Sequence, residues 1–347
     1  RQGDLMNQLS YSQPELLGNH VFAAPHIIDG RRMHGGFDAA GHYVPPRALG
    51  RAQALAAWTE ALRARGGELF EADSSLLAGV RVPNVAQHLL LLRAGHGQTF
   101  WNGLTITGKI EARGRVLAQM AFPDLRRLVT QEIDTMAIGH LDRGLLLAHG
   151  IDEGGEPDKG IGGHDVMWFV ARDLVFGPKA FPDVDPPASI ARPDTGKRVM
   201  PEIAPEYEGM LSFLMNLLVI EFRAEIGFAG TQAILRTPDL FADRREKAEA
   251  AALIIERIRT DETIHIQSLR LYLGELRELS FRTVDGGQVA GRVLIDRFWR
   301  GLIQWATVEQ PKLAAAQQRE LVHARLLGHP QGERLRGEFD ALADVAA

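Results

Sequence analysis

Apolar residues recur every three or four positions in a succession of long stretches, the spacing of helices that bury one face. No run alternates apolar and polar residues between hairpin turns. The pattern predicts helices over 47–65, stopped by Gly66 and Gly67, and over 84–94 and 101–120. Pro123 and Asp124 open another through His149, closed by Gly150. A short apolar segment over 164–176 is followed by a helix over 208–236. Asp243 and Glu246, placed like a capping box, then open a helix that runs unbroken to Leu279. At 1.5 Å per residue that helix is about 50 Å long. A turn at Asp285, Gly286 and Gly287 leads to a helix ending near Glu309, and Pro311 starts one reaching Leu327. Residues 1–46, rich in Gly, Pro, His and Asn, keep neither period and read as an irregular arm, and 177–205 reads as a long loop. The expected class is all-α: an irregular N-terminal arm over 1–46, a single helical bundle over 47–328 and a tail over 329–347.

Apolar residues make up 45% of the 347 and charged residues 24%, the proportions of a folded, water-soluble chain. The most apolar stretch, Met210 to Ile220, contains Asn216 and is too short to span a bilayer. No signal peptide shows over 1–10, so a cytoplasmic protein with no membrane association is expected. A net charge of −5 lacks the footprint of a general nucleic-acid binder. The absence of cysteine excludes disulfides, thiolate metal sites and cysteine nucleophiles, so any metal must sit on oxygen and imidazole.

The informative stretch is IIERIRTDETIHIQSLRLYL, residues 254–273, whose buried face is marked by Ile254, Ile255, Ile258, Ile266 and Leu269. Glu262 and His265 fall on that face, about 300° apart around the helix, so their side chains leave adjacent points and can converge on one ion. A carboxylate and an imidazole suit iron, manganese or zinc when no thiolate is present. On the preceding helix Glu221 and Glu225 line up with Leu214, Leu218 and Phe228. The plain alternative is a metal-free scaffold in which Glu221, Glu225 and Glu262 pair with Arg223, Arg257 or Arg259. No Gly-x-Ser-x-Gly elbow, phosphate-binding loop or His-Glu-x-x-His occurs. Trp168, Phe169, Phe298, Trp299 and Trp305 are candidates for an apolar pocket or for core.

An inward glutamate on one helix and Asp261-Glu262-Thr263-Ile264-His265 on the next resembles half of a ferritin-like di-iron carboxylate protein, over residues 208–279. In that family two such helix pairs face each other, each supplying one Glu and one Glu-x-x-His to a two-metal centre. Antiparallel register favours Glu221 as the single glutamate and the family's spacing favours Glu225. By this resemblance Glu262 would bridge or chelate, His265 would be a terminal ligand, and Asp261 would hold the histidine of the opposite half. The other half matches less well. Glu132 is the candidate single glutamate, but His164-Asp165-Val166-Met167-Trp168 stands where a Glu-x-x-His is expected, which leaves His140, His164 and Asp165 as alternative or supporting ligands. The resemblance implies a ferritin-like bundle with additional helices, holding two iron ions, or manganese, and oxidising a small organic substrate with dioxygen. A homodimer is the assembly to look for, and ferroxidase or iron storage is a further alternative.

Overall fold

The computed structural model describes residues 9–79 and 81–344. The chain is mostly helical, as its periodicity predicts. In chain order it forms α1 (Gln13–Leu16), a three-stranded antiparallel sheet of β1 (Ala24–Ile28), β2 (Arg31–Phe37) and β3 (Tyr43–Val44), then α2 (Ala48–Ala64), α3 (Val85–Arg93), α4 (Gln98–Gly114) and α5 (Leu125–Leu128). There follow α6 (Leu146–Gly154), α7 (His164–Phe176), α8 (Pro205–Arg236) and α9 (Arg245–Glu278). A hairpin of β4 (Ser280–Arg282) and β5 (Gln288–Ala290) precedes α10 (Gly291–Gln304), α11 (Gln310–Leu326) and α12 (Gly332–Ala341). No helix among the described residues is long and apolar enough to cross a membrane.

The two longest helices, α8 and α9, pack along each other, and α7 joins α9 while also lying on α4; α6 leans on α4 and α7. These five helices enclose the polar centre described below. Ile254, Ile255 and Ile258 on α9 pack with Met167, Trp168 and Ala171 on α7 and Phe228 on α8 to close one end. Leu269, Leu273 and Leu276 on α9 pack with Leu211, Leu214 and Leu218 on α8 to close the other. Apolar residues thus seal the long axis on both sides of the acids.

Three expectations need correction. Residues 1–8 of the expected arm lie outside the described residues, and over 9–46 the arm is not irregular throughout: β1 and β2 pair through a turn at Asp29 and Gly30, with φ of 53° and 72°. Both central residues are left-handed, the geometry in which Asp-Gly connects strands whose twist it matches. Strands this short, punctuated by Gly35 and Gly36, show no clean alternation. The helix expected from Pro123 to His149 is broken. Asp124 caps only the single turn of α5, and the chain then runs irregularly to a kink where Gly144 takes a φ of 134° that other residues avoid. Leu128, Ile133, Met136, Ile138 and Leu141 are nonetheless buried, which is why the segment imitates a helical period. Its free amides are met by buried Glu275, which accepts from the backbone N–H of Ala137 (3.2 Å) and Ile138 (3.0 Å). Third, the expected tail carries α12, whose Leu335 and Phe339 are buried with Leu91, Val322 and Leu326.

The sheet docks on α9 at His26, whose Nε2 lies 2.7 Å from Arg257 Nη1 and accepts a hydrogen bond from it; the Arg257 guanidinium also lies over the Phe37 ring. Burial, with the nearby Arg257 charge, pushes the His26 imidazole down to about 3. In the unfolded chain it titrates near 6.5, so folding strands a neutral ring that the unfolded state would protonate. Stability is therefore retained above pH 6.5 and lost progressively as pH falls towards 3, by a total of about 5 kcal/mol. His26→Gln, which keeps an acceptor for Arg257 but cannot titrate, should flatten this part of the profile in denaturant melts. An unchanged slope would show that His26 is not its source.

Candidate metal centre

Four buried glutamates and three buried histidines converge between α4, α6, α7, α8 and α9. Glu111 comes from α4, His149 and Glu153 from α6, His164 from the start of α7, Glu221 from α8, and Glu262 and His265 from α9. One group of close ligand atoms holds His149, Glu153, Glu221 and His265; another holds Glu111, Glu153, His164 and Glu262.

Two imidazoles organise the centre. His164 Nδ1 faces Glu262 Oε1 at 3.1 Å, Glu111 Oε2 at 3.5 Å and Glu153 Oε2 at 3.6 Å. His265 Nδ1 faces Glu262 Oε2 at 2.8 Å, Glu153 Oε1 at 3.2 Å and Glu221 Oε1 at 3.9 Å. Glu153 and Glu262 therefore present one oxygen to each imidazole, while Glu111 and Glu221 each serve one side. His149 stacks on His265 at 3.7 Å and points Nε2 at Glu221 (3.0 Å) and Glu153 (3.3 Å).

The outward nitrogens are fixed by aspartates. His164 Nε2 lies 3.2 Å from Asp261 Oδ2, and His265 Nε2 lies 3.1 Å from Asp152 Oδ2. A carboxylate accepting from Nε2–H leaves Nδ1 as a lone pair in the neutral ring. Both lone pairs then face carboxylate oxygens, an arrangement that repels unless a cation, proton or metal, stands between them. His164 Nδ1 and His149 Nε2 are buried and make no hydrogen bond.

The protonation pattern follows from this crowding. Burial, reinforced by the charges of Glu153 and Glu262, pushes Glu111 and Glu221 well above the ordinary carboxylate range. Burial opposes ionisation of Glu262 too, as does Glu153, but His265 and His164 outweigh them and bring it down to about 2. Burial likewise disfavours charge on His164 and His265, yet Glu262 and its neighbours raise both imidazoles well above their usual value. Protons thus stand where the donors would otherwise accept a metal.

Charge balance makes the same point. Asp152 is buried against Arg47 Nε (2.8 Å) and Arg51 Nη2 (2.7 Å). Asp261 Oδ2 gathers His34 Nε2 (3.0 Å), Tyr43 Oη (3.0 Å) and His164. Arg47 and Arg51 both pair with Asp152, so among the described residues no arginine or lysine is paired with the four glutamates, whose charge is met by protons in the metal-free protein and would be met by two divalent cations in their place. His34, His164 and Asp261 also lie close enough to suggest a third ion, but all three hydrogen-bonding groups converge on Asp261 Oδ2, so the trio is a support.

Local sequence explains how the pieces arrive. Gly155 and Gly163 close the loop between α6 and α7 so tightly that a Cβ on either would stand 2.4 Å from the other's backbone nitrogen. Glu153 and His164 are thereby brought side by side across ten intervening residues. Gly162 hydrogen-bonds to β2, accepting from His34 N (2.8 Å) and donating to Arg32 O (3.0 Å), which sets His34 against Asp261. Gly114 leaves space where a Cβ would meet Glu153 at 2.6 Å.

Of the residues singled out from sequence, Glu221, Glu262, His265 and His164 meet in the centre and Asp261 supports it. Glu132 does not: it is exposed on the irregular stretch after α5, because the helix that would have turned it inward is not formed. Glu225, one turn beyond Glu221, is only half-buried and belongs to neither group. His140 is buried elsewhere, accepting from Tyr11 N (3.1 Å) and packed at a tilt against the Trp58 ring. Asp165 points back to Val166 N (2.7 Å) and towards Arg115. Among the described residues the ion pairs of the scaffold alternative do not form. Arg223 turns to Ile190 O, Arg257 to His26 and Arg259 to Gln232.

Glu111, His149, Asp152, Glu153 and His34 escaped the sequence reading. One signal was available: Asp152-Glu153 repeats Asp261-Glu262, and Glu111 precedes Glu153 by 42 residues where Glu221 precedes Glu262 by 41. Comparison with protein-family models, curated proteins and solved structures gave no match, so this centre is read from its own geometry.

Removing Asp152 should be the costliest change to the metal-free fold, since it leaves buried Arg51 without a carboxylate and Arg47 with only Glu156 at 3.7 Å: Asp152→Asn is expected to lose about 3–5 kcal/mol. Glu111→Gln, isosteric with an acid already held protonated, should change stability little. Denaturant melts of chelator-treated protein compare the two, and equal losses would contradict this assignment of charge.

Proposed function

We propose that the protein is a non-haem di-metal oxidoreductase, with iron as the expected metal and manganese as the alternative, that uses dioxygen to oxidise a small organic substrate. The observation that carries the reading is the double-sided role of Glu153 and Glu262, each placed between two imidazoles whose Nδ1 atoms face a cluster of carboxylates. The donor inventory supports a ferritin-like relationship. Glu111 and Glu221 take the part of the single glutamates, Glu153 and Glu262 that of the paired ones, and His164 and His265 that of the histidines. Two departures distinguish this chain: His164 reaches Glu153 from the next helix rather than three residues on, and His149 adds a further imidazole.

Held by these side chains, paired iron would supply redox chemistry towards dioxygen. The protein's own part is to bind, orient and exclude water. Asp152 and Asp261 fix the rotation and tautomer of His265 and His164, a support that typically contributes ten- to a hundredfold in metal affinity. Glu111 and Glu221 can take up or release a proton as charge on the centre changes. The isoleucines of α9 and Trp168 wall the centre with apolar surface, which keeps bulk water from reactive species. An apolar cavity reaching Glu111 favours an organic substrate over iron storage.

Protein loaded anaerobically with ferrous iron should bind about two ions per chain and consume dioxygen on exposure to air. Glu153→Ala and Glu262→Ala should each lose both ions, because their carboxylates serve both sides, whereas His149→Ala should keep at least one. Circular dichroism checks that the helices survive. Full metal content and dioxygen uptake in the Glu153 and Glu262 variants would overturn the reading.

A further inference from the structure

A cavity of about 740 Å³, within the size range of small-molecule sites, lies against the centre. Glu111 is on its α4 wall, with Leu104 and Phe100 beside it; Trp168 and Phe228 continue the apolar lining, and the loop over 187–193 covers part of it. That loop is held in place from below: Arg113 donates to Pro187 O (2.6 Å), Arg223 to Ile190 O (3.0 Å), and Asn216 accepts from Arg192 N (3.0 Å).

The lining carries an unbalanced charge. Arg81 and Arg223 both face the cavity, and neither meets a carboxylate among the described residues. Arg81 Nη2 donates to the Arg223 carbonyl (3.2 Å), and Gly227 leaves room for it, since a Cβ there would stand 3.3 Å from Arg81 Nη1. Arg223 lies over the Trp305 ring at 5.0 Å, and its Nη2 is buried with no hydrogen-bond partner. The other titratable groups on the lining are Glu111, which belongs to the metal centre, and His88, whose imidazole burial pushes down to about 4 and keeps neutral. Burial, with the neighbouring Arg81, also lowers the Arg223 guanidinium to about 10, which still leaves it charged. Two adjacent cations on the lining beside an apolar wall, with no carboxylate among the described residues paired to either, fit a ligand that brings an anion and a hydrocarbon body together.

We propose that this cavity binds an amphipathic organic anion, its carboxylate or phosphate head on Arg223 and Arg81 and its apolar body along Phe100, Leu104, Trp168 and Phe228 beside Glu111. The proposal names the substrate class of the di-metal oxidase and rests on that reading for the fate of the ligand, though not for its binding.

The test is titration calorimetry on the full-length, metal-loaded protein with decanoate, decyl phosphate and decanol. Either anion should bind at least about tenfold more tightly than the alcohol, the worth of one hydrogen bond to a charged group. Arg223→Gln and Arg81→Gln should each weaken anion binding about ten- to a hundredfold and leave decanol unchanged. Arg223→Lys should retain part of the preference, and Ala224→Phe, which fills the cavity, should weaken all three probes with metal content intact. Decanol binding as tightly as both anions, or anion binding unaffected in both glutamine variants that keep their melting temperature, would overturn the proposal. Glu262→Ala separates the two readings: anion binding that persists without metal supports the cavity assignment by itself. If the wild type holds no metal yet prefers the anions, the oxidase reading fails and the binding site stands.

Discussion

Two imidazole Nδ1 atoms turned towards carboxylate oxygens, so that a proton or a metal ion must stand between them, are the constraint on which the rest of this structure depends. Asp261 and Asp152 accept from the Nε2 atoms of His164 and His265, so each Nδ1 is committed to the interior. Around them Glu111, Glu153, Glu221 and Glu262 are buried at no more than 7% exposure, a grouping whose desolvation and mutual repulsion a metal-free protein meets only by binding protons. Metal ions at the same points would replace those protons and couple binding to stability.

The fold is arranged to hold that crowding still. Helices α8 and α9 bring Glu221 to Glu262 and His265, and α4, α6 and α7 bring up the facing donors. The supports of the two sides differ. Asp152 is clamped by two arginines, whereas Asp261 relies on His34 and Tyr43 from the N-terminal sheet and keeps a buried Oδ1 without a partner. The sheet is therefore part of the centre: through Gly162 it is stitched to the loop that delivers His164. Charge on the His265 side is compensated by fixed cations, and on the His164 side by neutral donors, so the two positions present unlike fields to whatever occupies them.

The half of the centre on α8 and α9 was legible because all of its information lies within helices. An i,i+3 pair on a buried face, and a glutamate one hairpin earlier, are fixed by helical geometry alone. The other half was hidden because Glu153 and His164 are joined by a loop whose conformation depends on Gly155 packing against Gly163, a contact with no periodicity. The false partner, Glu132, came from reading buried apolar residues after α5 as a helix, when Glu275 and the kink at Gly144 satisfy that backbone in another way. The hairpin of β1 and β2 was signalled by Asp29-Gly30 but lacked alternation. The arginines of the cavity stand on α8 and on the segment before α3, so only their packing shows that they share a wall.

Anomalous X-ray diffraction from crystals loaded with iron or manganese under nitrogen tests the central claim most directly. The account predicts two peaks about 3.5–4 Å apart. One should lie beside Glu111 and His164, the other beside Glu221 and His265, with Glu153 and Glu262 reaching both. No peak at this cluster after loading, or a single peak on the His34 and Asp261 support, would contradict it.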